Sequence, residues 1–521
     1  MSKKIIIGSR GSDLALWQAH FVQDRLKTLN IESEIKIIAT KGDKIQDLSF
    51  DKIEGKGFFT KEIEEALLNK EIDLAVHSHK DLETEQPQGL TVAAVSGRAD
   101  AADILLIRKE CVDENQRFSL KKNAIVGTSS ARRKSQFLMF RSDVEIKDLR
   151  GNVPTRIDKL RLGNYDAILL ASAGVGRLKL NLNEFFVERL DPKQFIPAPA
   201  QGVLALQIRE DDTELFTTLQ DFNNKTIQST CFVERKILNL FDGGCQLPLG
   251  AYCEMADDEE TYNVWLAVAN KPDSTPVSVY AEGKNPETLA ERMVEKAKSL
   301  NPTSVFITRE LFPDDLFHIV LSNLGYDVTG KPLIETTQIP IIKTPKTDWI
   351  FFSSKNAVYH FFKQNPEIKS DAKIGVIGRA TAEALRKFDK RADFIGVSAD
   401  TKLIGKQFRA LVGRTRVLFP QAKKSIKSIQ GQMLDKDQAI NLFVYETIEN
   451  PEYNIPDSEV LVFTSPSNVE AFYKTHTIKP HQKVVAIGHA TASELKNRDI
   501  HHPKLPDAFD GLSLARAVMS L

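Results

Sequence analysis

The sequence predicts an α/β protein with mostly parallel sheets, divided into two parts near residue 301. Three observations lead there. Apolar runs alternate with amphipathic helical patterns, the pattern restarts after Asn301-Pro302, and the second part contains an internal repeat. KKIIIGS reads as a strand and LALWQAHFVQDRL as the helix behind it. IDLAVHS, YDAILLASAG and VLFP read as further buried strands, and LVFTS runs into the helix NVEAFY. Strands that alternate with helices pack as parallel sheets covered by helices. RMVEKAKSL closes the first part as a helix, and SVFITR opens the second as a fresh strand. The Asn-Pro pair between them marks the boundary.

The repeat is direct. VIGRATAEAL at 376–385 returns as AIGHATASEL at 486–495, and FFSSKNAV at 351–358 returns as VFTSPSNV at 462–469. In each copy a strand ends in a Ser/Thr-rich turn and enters a helix, and a second strand then ends in Ile-Gly. Two copies imply two similar α/β lobes with a cleft between them. Ser and Thr at such turns suit an anionic ligand at a helix N-terminus, and they suit plain N-caps equally well. The doubling favours the ligand cleft.

The chain has 521 residues, which at roughly 150 per domain suggests three or four domains. Its 42% hydrophobic and 27% charged composition excludes wholesale disorder and collagen-like repeats. With 70 basic and 70 acidic residues the net charge is zero. That argues against a protein that coats nucleic acid or an anionic membrane. The apolar run Ile5-Ile6-Ile7 is too short for a secretory signal, and no stretch approaches the roughly 18 apolar residues of a membrane span. None of the four cysteines forms a CxxC pair, so neither a zinc ribbon nor a disulfide framework is expected. The expectation is a cytosolic protein with reduced thiols and no bound metal.

Charge is unevenly spread. Residues 121–180 hold 13 lysines and arginines against five acids. Several arginines follow strand-to-helix turns, in GTSSARR, DLRGNVPTR and SAGVGR, among Gly, Ser and Thr rather than Glu partners. Arginine beside a helix N-terminus is a good receptor for carboxylates or phosphates. A solvated basic face is the bland alternative. A nucleic-acid groove lacks the interleaved aromatics that stack on bases. In IDLAVHSHKDLET a buried-type strand runs into Lys80-Asp81, a candidate acid/base pair or a surface ion pair. FDGGCQLPLG places Cys245 after two glycines, where something bulky has room to approach the sulfur. A small buried hydrophobe is the alternative there.

GSRGSDLALWQ, TKGD, GKGFFTKEIE, VHSHKDL, VGTSSARRKSQ, DLRGNVPTR, YDAILLASAGVGRL, PAPAQG and GGCQLPLGAY follow one another in this order. Together they resemble the porphobilinogen deaminases, also called hydroxymethylbilane synthases, over residues 1–300. Residues 301–521 resemble the uroporphyrinogen-III synthases through the paired TSPSNV and IGxAT segments, VYET and the DWIFF strand. The resemblance implies two lobes similar to periplasmic binding proteins, residues 1–98 with 194–219 and residues 99–193. A small α+β domain at 220–300 presents the cysteine, and a two-lobed, Rossmann-like α/β synthase follows at 301–521.

It also implies chemistry. Four porphobilinogen molecules condense with loss of ammonia to hydroxymethylbilane, which closes to uroporphyrinogen III with one ring inverted. By the same resemblance Cys245 carries a covalent dipyrromethane cofactor, held by Ser12, Lys80, Ser129, Arg132, Arg133 and Arg150. Asp81 is the catalytic carboxylate, while Arg10, Gln18, Lys56, Arg156 and Arg177 bind substrate. In the second half Tyr445 matches a tyrosine that helps a hydroxyl depart, with a core tyrosine as the alternative. Ser353, Thr464, Ser465, Ser467 and Thr491 are candidate hydrogen-bond donors to substrate carboxylates. The partners expected are small molecules, without nucleic acid or membrane, around a monomer. The chain departs from the family pattern at His79, Glu83, Ala131 and Ala200, the last in place of a usual glycine. Side chains alternate along a strand, so His79 points away from the Lys80 side. Two other readings stay open, a deaminase with a non-catalytic second half and a small-anion binding protein.

Overall fold

The computed structural model describes residues 4–40, 60–242, 247–398, 400–449 and 454–521. Cys245 and Lys56 lie outside the described residues. The chain forms two compact units, Met1–Ser299 and Leu300–Leu521.

The first unit holds three sheets. In the first, the strands run in the order Ser33–Ile37, Ile5–Ser9, Leu74–Ser78, Leu204–Arg209, Leu90–Val95. The first three are parallel, as the alternating pattern predicts, but Leu204–Arg209 enters antiparallel to both its neighbours. The second sheet runs Glu145–Lys147, Ile125–Gly127, Ala167–Ala171, Asp103–Arg108, Phe185–Arg189. Here too one inner strand, Asp103–Arg108, is antiparallel to both sides. Each sheet is thus mostly parallel, four strands sharing one direction and a single inserted strand opposing them. An inserted strand returning from the other lobe has no crossover helix to turn it parallel. The third sheet is an antiparallel meander, Leu249–Met255, Tyr262–Val268 and Val277–Gly283. Its apolar face packs Val264, Leu266 and Val279 against Val233, Ile237 and Met293 of the helices Lys225–Leu240 and Pro286–Lys298.

Local chemistry explains where the site helices begin. Ser12, Ser130 and Asn152 accept from the backbone N–H of Ala15, Arg133 and Thr155, capping Asp13–Thr28, Ala131–Phe140 and Val153–Arg161. Each of these helices follows the C-terminal end of a strand, so their N-termini and the intervening turns collect at strand ends. Ala200, where the motif usually has glycine, takes φ +58° while fully buried. That conformation costs a non-glycine residue roughly 1–2 kcal/mol. The Ala200 N–H holds it by donating to Glu234 Oε2 at 2.6 Å. At Gly202, φ is +88° and a Cβ would lie 2.7 Å from the Ala99 carbonyl, so glycine is required there.

In the second unit the repeat appears as two sheets. The parallel sheet Asp327–Gly330, Ser304–Ile307, Val460–Phe463, Lys483–Ala486 forms one lobe. The other has the order Ile334–Gln338, Ala439–Glu449, Val417–Ala422, Trp349–Phe352, Lys373–Val376, Phe394–Ile395, antiparallel only at its first pair. The repeat copies give the same sequence of elements in each. Ser354 and Ser465 cap the first helix, and Gly378 and Gly488 precede the second with nearly identical extended backbone. No described helix is long and apolar enough to cross a membrane.

Candidate functional site

Lys80 and Asp81 sit on a 3-10 turn, His79–Asp81, that follows the strand Leu74–Ser78. The His79 N–H donates to Val203 O at 2.9 Å, fixing the turn to the inserted strand's leading loop. Neighbouring side chains on the turn diverge. His79 is buried near His77, Arg98 and Arg235, whereas Lys80 Nζ donates to Gln201 Oε1 at 3.4 Å. Burial first, then the charges of Arg235, Arg98 and His77, holds His79 well below its ordinary value and therefore neutral.

On the Lys80 side a network runs through Gln201 to Asp103. Gln201 Nε2 donates to Asp103 Oδ1 at 3.1 Å and to Ala101 O at 2.8 Å. Asp103 in turn accepts from Arg132 Nη1 at 2.7 Å and from Arg133 Nη2 at 2.8 Å and Nε at 3.2 Å. All three charged groups are buried. Burial opposes the Asp103 charge, but the two guanidinium groups outweigh it and hold the carboxyl well below its usual range. This corrects the sequence expectation that the arginines lack an acidic partner. The partner comes from a strand of the same sheet, about 30 residues upstream, and only its position at the head of the apolar run ILL hinted that it must be paired. One carboxylate between two guanidinium groups leaves a net positive charge.

Arg156 and Arg177 make no ion pair with an acid among the described residues. Arg156 Nε donates to Gly151 O at 2.7 Å; burial, then Arg133 and Arg150, lowers it to about 10, with Asp81 opposing. Arg177 Nη2 donates to Gly202 O at 2.7 Å, and its guanidinium carbon lies 5.7 Å from the centre of the Trp17 ring. Burial alone lowers it to about 10. Lys80 is lowered as well, by burial first, against the opposing charge of Asp81. These couplings place Lys80, Asp81, Arg132, Arg133, Arg150 and Arg156 within one electrostatic neighbourhood.

The other expected residues take more local parts. Ser129 Oγ donates to Leu149 O at 3.1 Å and accepts from Leu149 N at 3.0 Å, which ties the turn to Leu149. Ser12 caps its helix, and Arg10 lies half-buried just before it. Gln18 Nε2 donates to Ser78 Oγ at 2.9 Å, tying that helix to the strand that leads into Lys80.

In the second unit Tyr445 is buried in a lobe core, stacked on His360 at 5.2 Å, with its hydroxyl 3.1 Å from Ser354 Oγ. Burial raises its hydroxyl pKa, with the Ser354 bond opposing. Thr464 Oγ1 donates to Thr308 O at 3.1 Å and accepts from Asn468 Nδ2 at 3.1 Å; Ser465 is a helix cap. Ser353 and Ser467 are half-buried at the two repeat turns, and Thr491, like its counterpart Thr381, is buried. Across the lobes Arg379 Nη1 donates to Asp510 Oδ2 at 2.9 Å, a pair that sequence reading missed because its members are 131 residues apart.

Comparison with known proteins follows the same division. Residues 5–217 match the family model for the porphobilinogen deaminase dipyromethane cofactor binding domain, and residues 228–299 match the deaminase C-terminal domain. A porphobilinogen deaminase of Oceanobacillus iheyensis is 44% identical over 277 residues, 53% of this chain and 87% of that protein. One of Bacillus subtilis is 41% identical over 294 residues, 56% of this chain and 92% of that protein. The chain belongs to the porphobilinogen deaminase family. Behind this deaminase part, residues 317–514 match the family model for uroporphyrinogen-III synthase HemD. The chain therefore joins a deaminase domain to a synthase domain. Among solved structures, a uroporphyrinogen-III synthetase from Helicobacter pylori matches with 18% identity and a TM-score of 0.32, covering 42% of this chain and 99% of that one. The deaminase residues fit the cofactor for which the family domain is named. A dipyrromethane bears carboxylates, and the buried Arg132 and Arg133 with the half-buried Lys80 and Arg156 form a set of donors whose charge the fold itself leaves partly unbalanced.

Proposed function

We propose that the chain is a bifunctional enzyme of tetrapyrrole formation. Its first unit condenses four porphobilinogen molecules into hydroxymethylbilane, releasing ammonia. Its second closes that product to uroporphyrinogen III with inversion of one ring. The observation that carries the reading is the trio Lys80, Arg156 and Arg177, each held below its ordinary basicity by burial. A buried cation that the fold does not neutralise is stabilised when a ligand brings an anion to it. Porphobilinogen brings two, an acetate and a propionate.

In this reading Arg156 and Arg177 grip carboxylates, with Arg10, Gln18 and Lys56 as further substrate contacts. Arg132 and Arg133, clamped by Asp103, act as fixed receptors that lose little freedom on binding. Asp81 stands beside Lys80 and Arg156. Its carboxylate stabilises the positive charge that develops on the substrate methylene as ammonia leaves, and then accepts the proton released when the new pyrrole link regains aromaticity. Ser12, Ser129, Arg150 and Lys80 hold the dipyrromethane on Cys245, which supplies the ring position that is extended. In the second unit Tyr445 assists departure of the hydroxyl, and Ser353, Thr464, Ser465, Ser467 and Thr491 donate to carboxylates. The same reading divides the first unit at 1–98 with 194–219, 99–193 and 220–300, which the separate sheets support. It places the enzyme in the cytoplasm as a monomer working without nucleic acid.

The test is incubation of the purified chain with porphobilinogen. Ammonia release with type III product supports both halves of the proposal; type I product removes the second activity. Intact mass must show two porphobilinogen units, less two ammonia, attached to the protein. An active protein without that surplus refutes the role given to Cys245.

A further inference from the structure

Behind the Lys80–Asp81 turn lies a groove of about 380 Å³, walled by the His79–Asp81 turn, the edge strand Leu90–Val95 and one face of the helix Lys225–Leu240. None of its eleven lining residues is acidic. Its hydrogen-bonding capacity is one-sided. Asn239 Oδ1 already accepts from Thr84 at 3.3 Å, Gln228 Oε1 from Asn223 at 3.0 Å, and Gln86 Oε1 from Gln207 at 2.9 Å. The carbonyl ends of all three amides are thus occupied, while the Nδ2 of Asn239, the Nε2 of Gln228 and the Nζ of Lys236 have no partner among the described residues. Lys236 is half-buried and forms no ion pair there. The groove offers these donors and the Lys236 cation to whatever enters, beside Arg235 whose guanidinium bonds backbone carbonyls, and Val92, Val95 and Phe232 supply an apolar floor.

We infer that this groove binds a small organic anion, a carboxylate or phosphate on an apolar body of about one ring, separately from the cationic cleft on the other side of the turn. A ligand whose anionic head meets Lys236, Gln228 and Asn239 satisfies donors that the fold leaves open, and its body covers Phe232, which is 42% exposed. The occupant would also abut the clamp on the catalytic turn. Arg235, from the same helix face, donates to His79 O at 2.9 Å, to Leu82 O at 3.0 Å and to Glu83 O. The helix that carries this clamp ends at Leu240, five residues before Cys245 in sequence.

Calorimetric titration of the holoenzyme with 3-phenylpropionate, phenyl phosphate and the neutral 3-phenylpropanol tests the site. Saturable binding of either acid, with the alcohol at least about tenfold weaker, is expected, and the tighter acid identifies the preferred head group. Lys236→Gln, and independently Gln228→Leu, should weaken the acid about tenfold, whereas Arg156→Gln in the cleft should leave it unchanged. Absence of binding, equal binding of the alcohol, or loss in Arg156→Gln with retention in Lys236→Gln overturns the inference.

Discussion

Arg379 and Asp510 form an ion pair that joins the two lobes of the second unit, each side chain at most 13% exposed. Asp510 also caps the helix Gly511–Met519 by accepting from Ser513 N at 2.8 Å. Replacing Arg379 with leucine leaves a buried carboxylate without its main partner, a loss of about 3 kcal/mol. Urea unfolding should show the second unit's transition moving and the first unit's unchanged. Arg379→Leu with Asp510→Asn should recover most of the loss. Burial opposes the Asp510 charge, but Arg379, the Ser513 N–H and Arg516 together outweigh it, so its folded value lies below the unfolded one. The pair's contribution is therefore full above about pH 4 and disappears as pH falls through the depressed folded value.

Asp103→Asn removes the only acid that Arg132 and Arg133 share among the described residues. Two buried guanidinium groups then repel without compensation, and a loss of about 3–5 kcal/mol is expected in the first unit. Denaturant midpoints measure it. A loss below about 1 kcal/mol would mean that solvent reaches the pair.

Asp81→Asn keeps the side chain's size and exposed position while removing its charge. Ammonia release should fall by at least about 100-fold with the melting temperature unchanged. Turnover near the normal level would remove Asp81 from the chemistry.

Arg156→Gln should raise KM for porphobilinogen about tenfold while leaving the folded protein as stable or more so, since the cation is held against burial and its neighbours Arg133 and Arg150. Its folded value of about 10 means that it stays charged at neutral pH. KM should be flat through neutrality and rise only as pH approaches 10. A KM that climbs between pH 7 and 8 would point to a different group.

Tyr445→Phe removes one hydroxyl and its bond to Ser354. Stability should fall by about 1 kcal/mol. If the hydroxyl assists departure, the share of type III product should drop sharply at an unchanged rate of ammonia release. An unchanged isomer ratio would make Tyr445 a core residue only.

Features encoded within a few residues of each other were legible in the sequence. The alternation in KKIIIGS and LALWQAHFVQDRL gave a strand and helix, and the paired motifs gave two lobes whose caps Ser354 and Ser465 coincide. The cation cluster was visible as an excess of charge between residues 121 and 180. Pairings across long stretches were not. Asp103 reaches Arg132 and Arg133 on their helix from the head of the strand Asp103–Arg108, and Arg379 reaches Asp510 across 131 residues. A local pattern reports a residue's own preference but not which distant group will satisfy its charge. Local structure adds what composition leaves out: the Ser129 hydroxyl bonds to the Leu149 backbone, and Ser465 caps its helix by accepting from Asn468 N.

The strand Leu204–Arg209 stands between Leu74–Ser78 and Leu90–Val95 and, among the described strands, pairs with both of them. During synthesis the first lobe therefore cannot seal until more than 200 residues have left the ribosome, whereas every strand of the second sheet has emerged by Arg189. The later-encoded lobe is free to fold first, and the N-terminal half-sheet waits with an unpaired edge. Nascent chains halted just before residue 204 should be the aggregation-prone species on this protein's path to its native state.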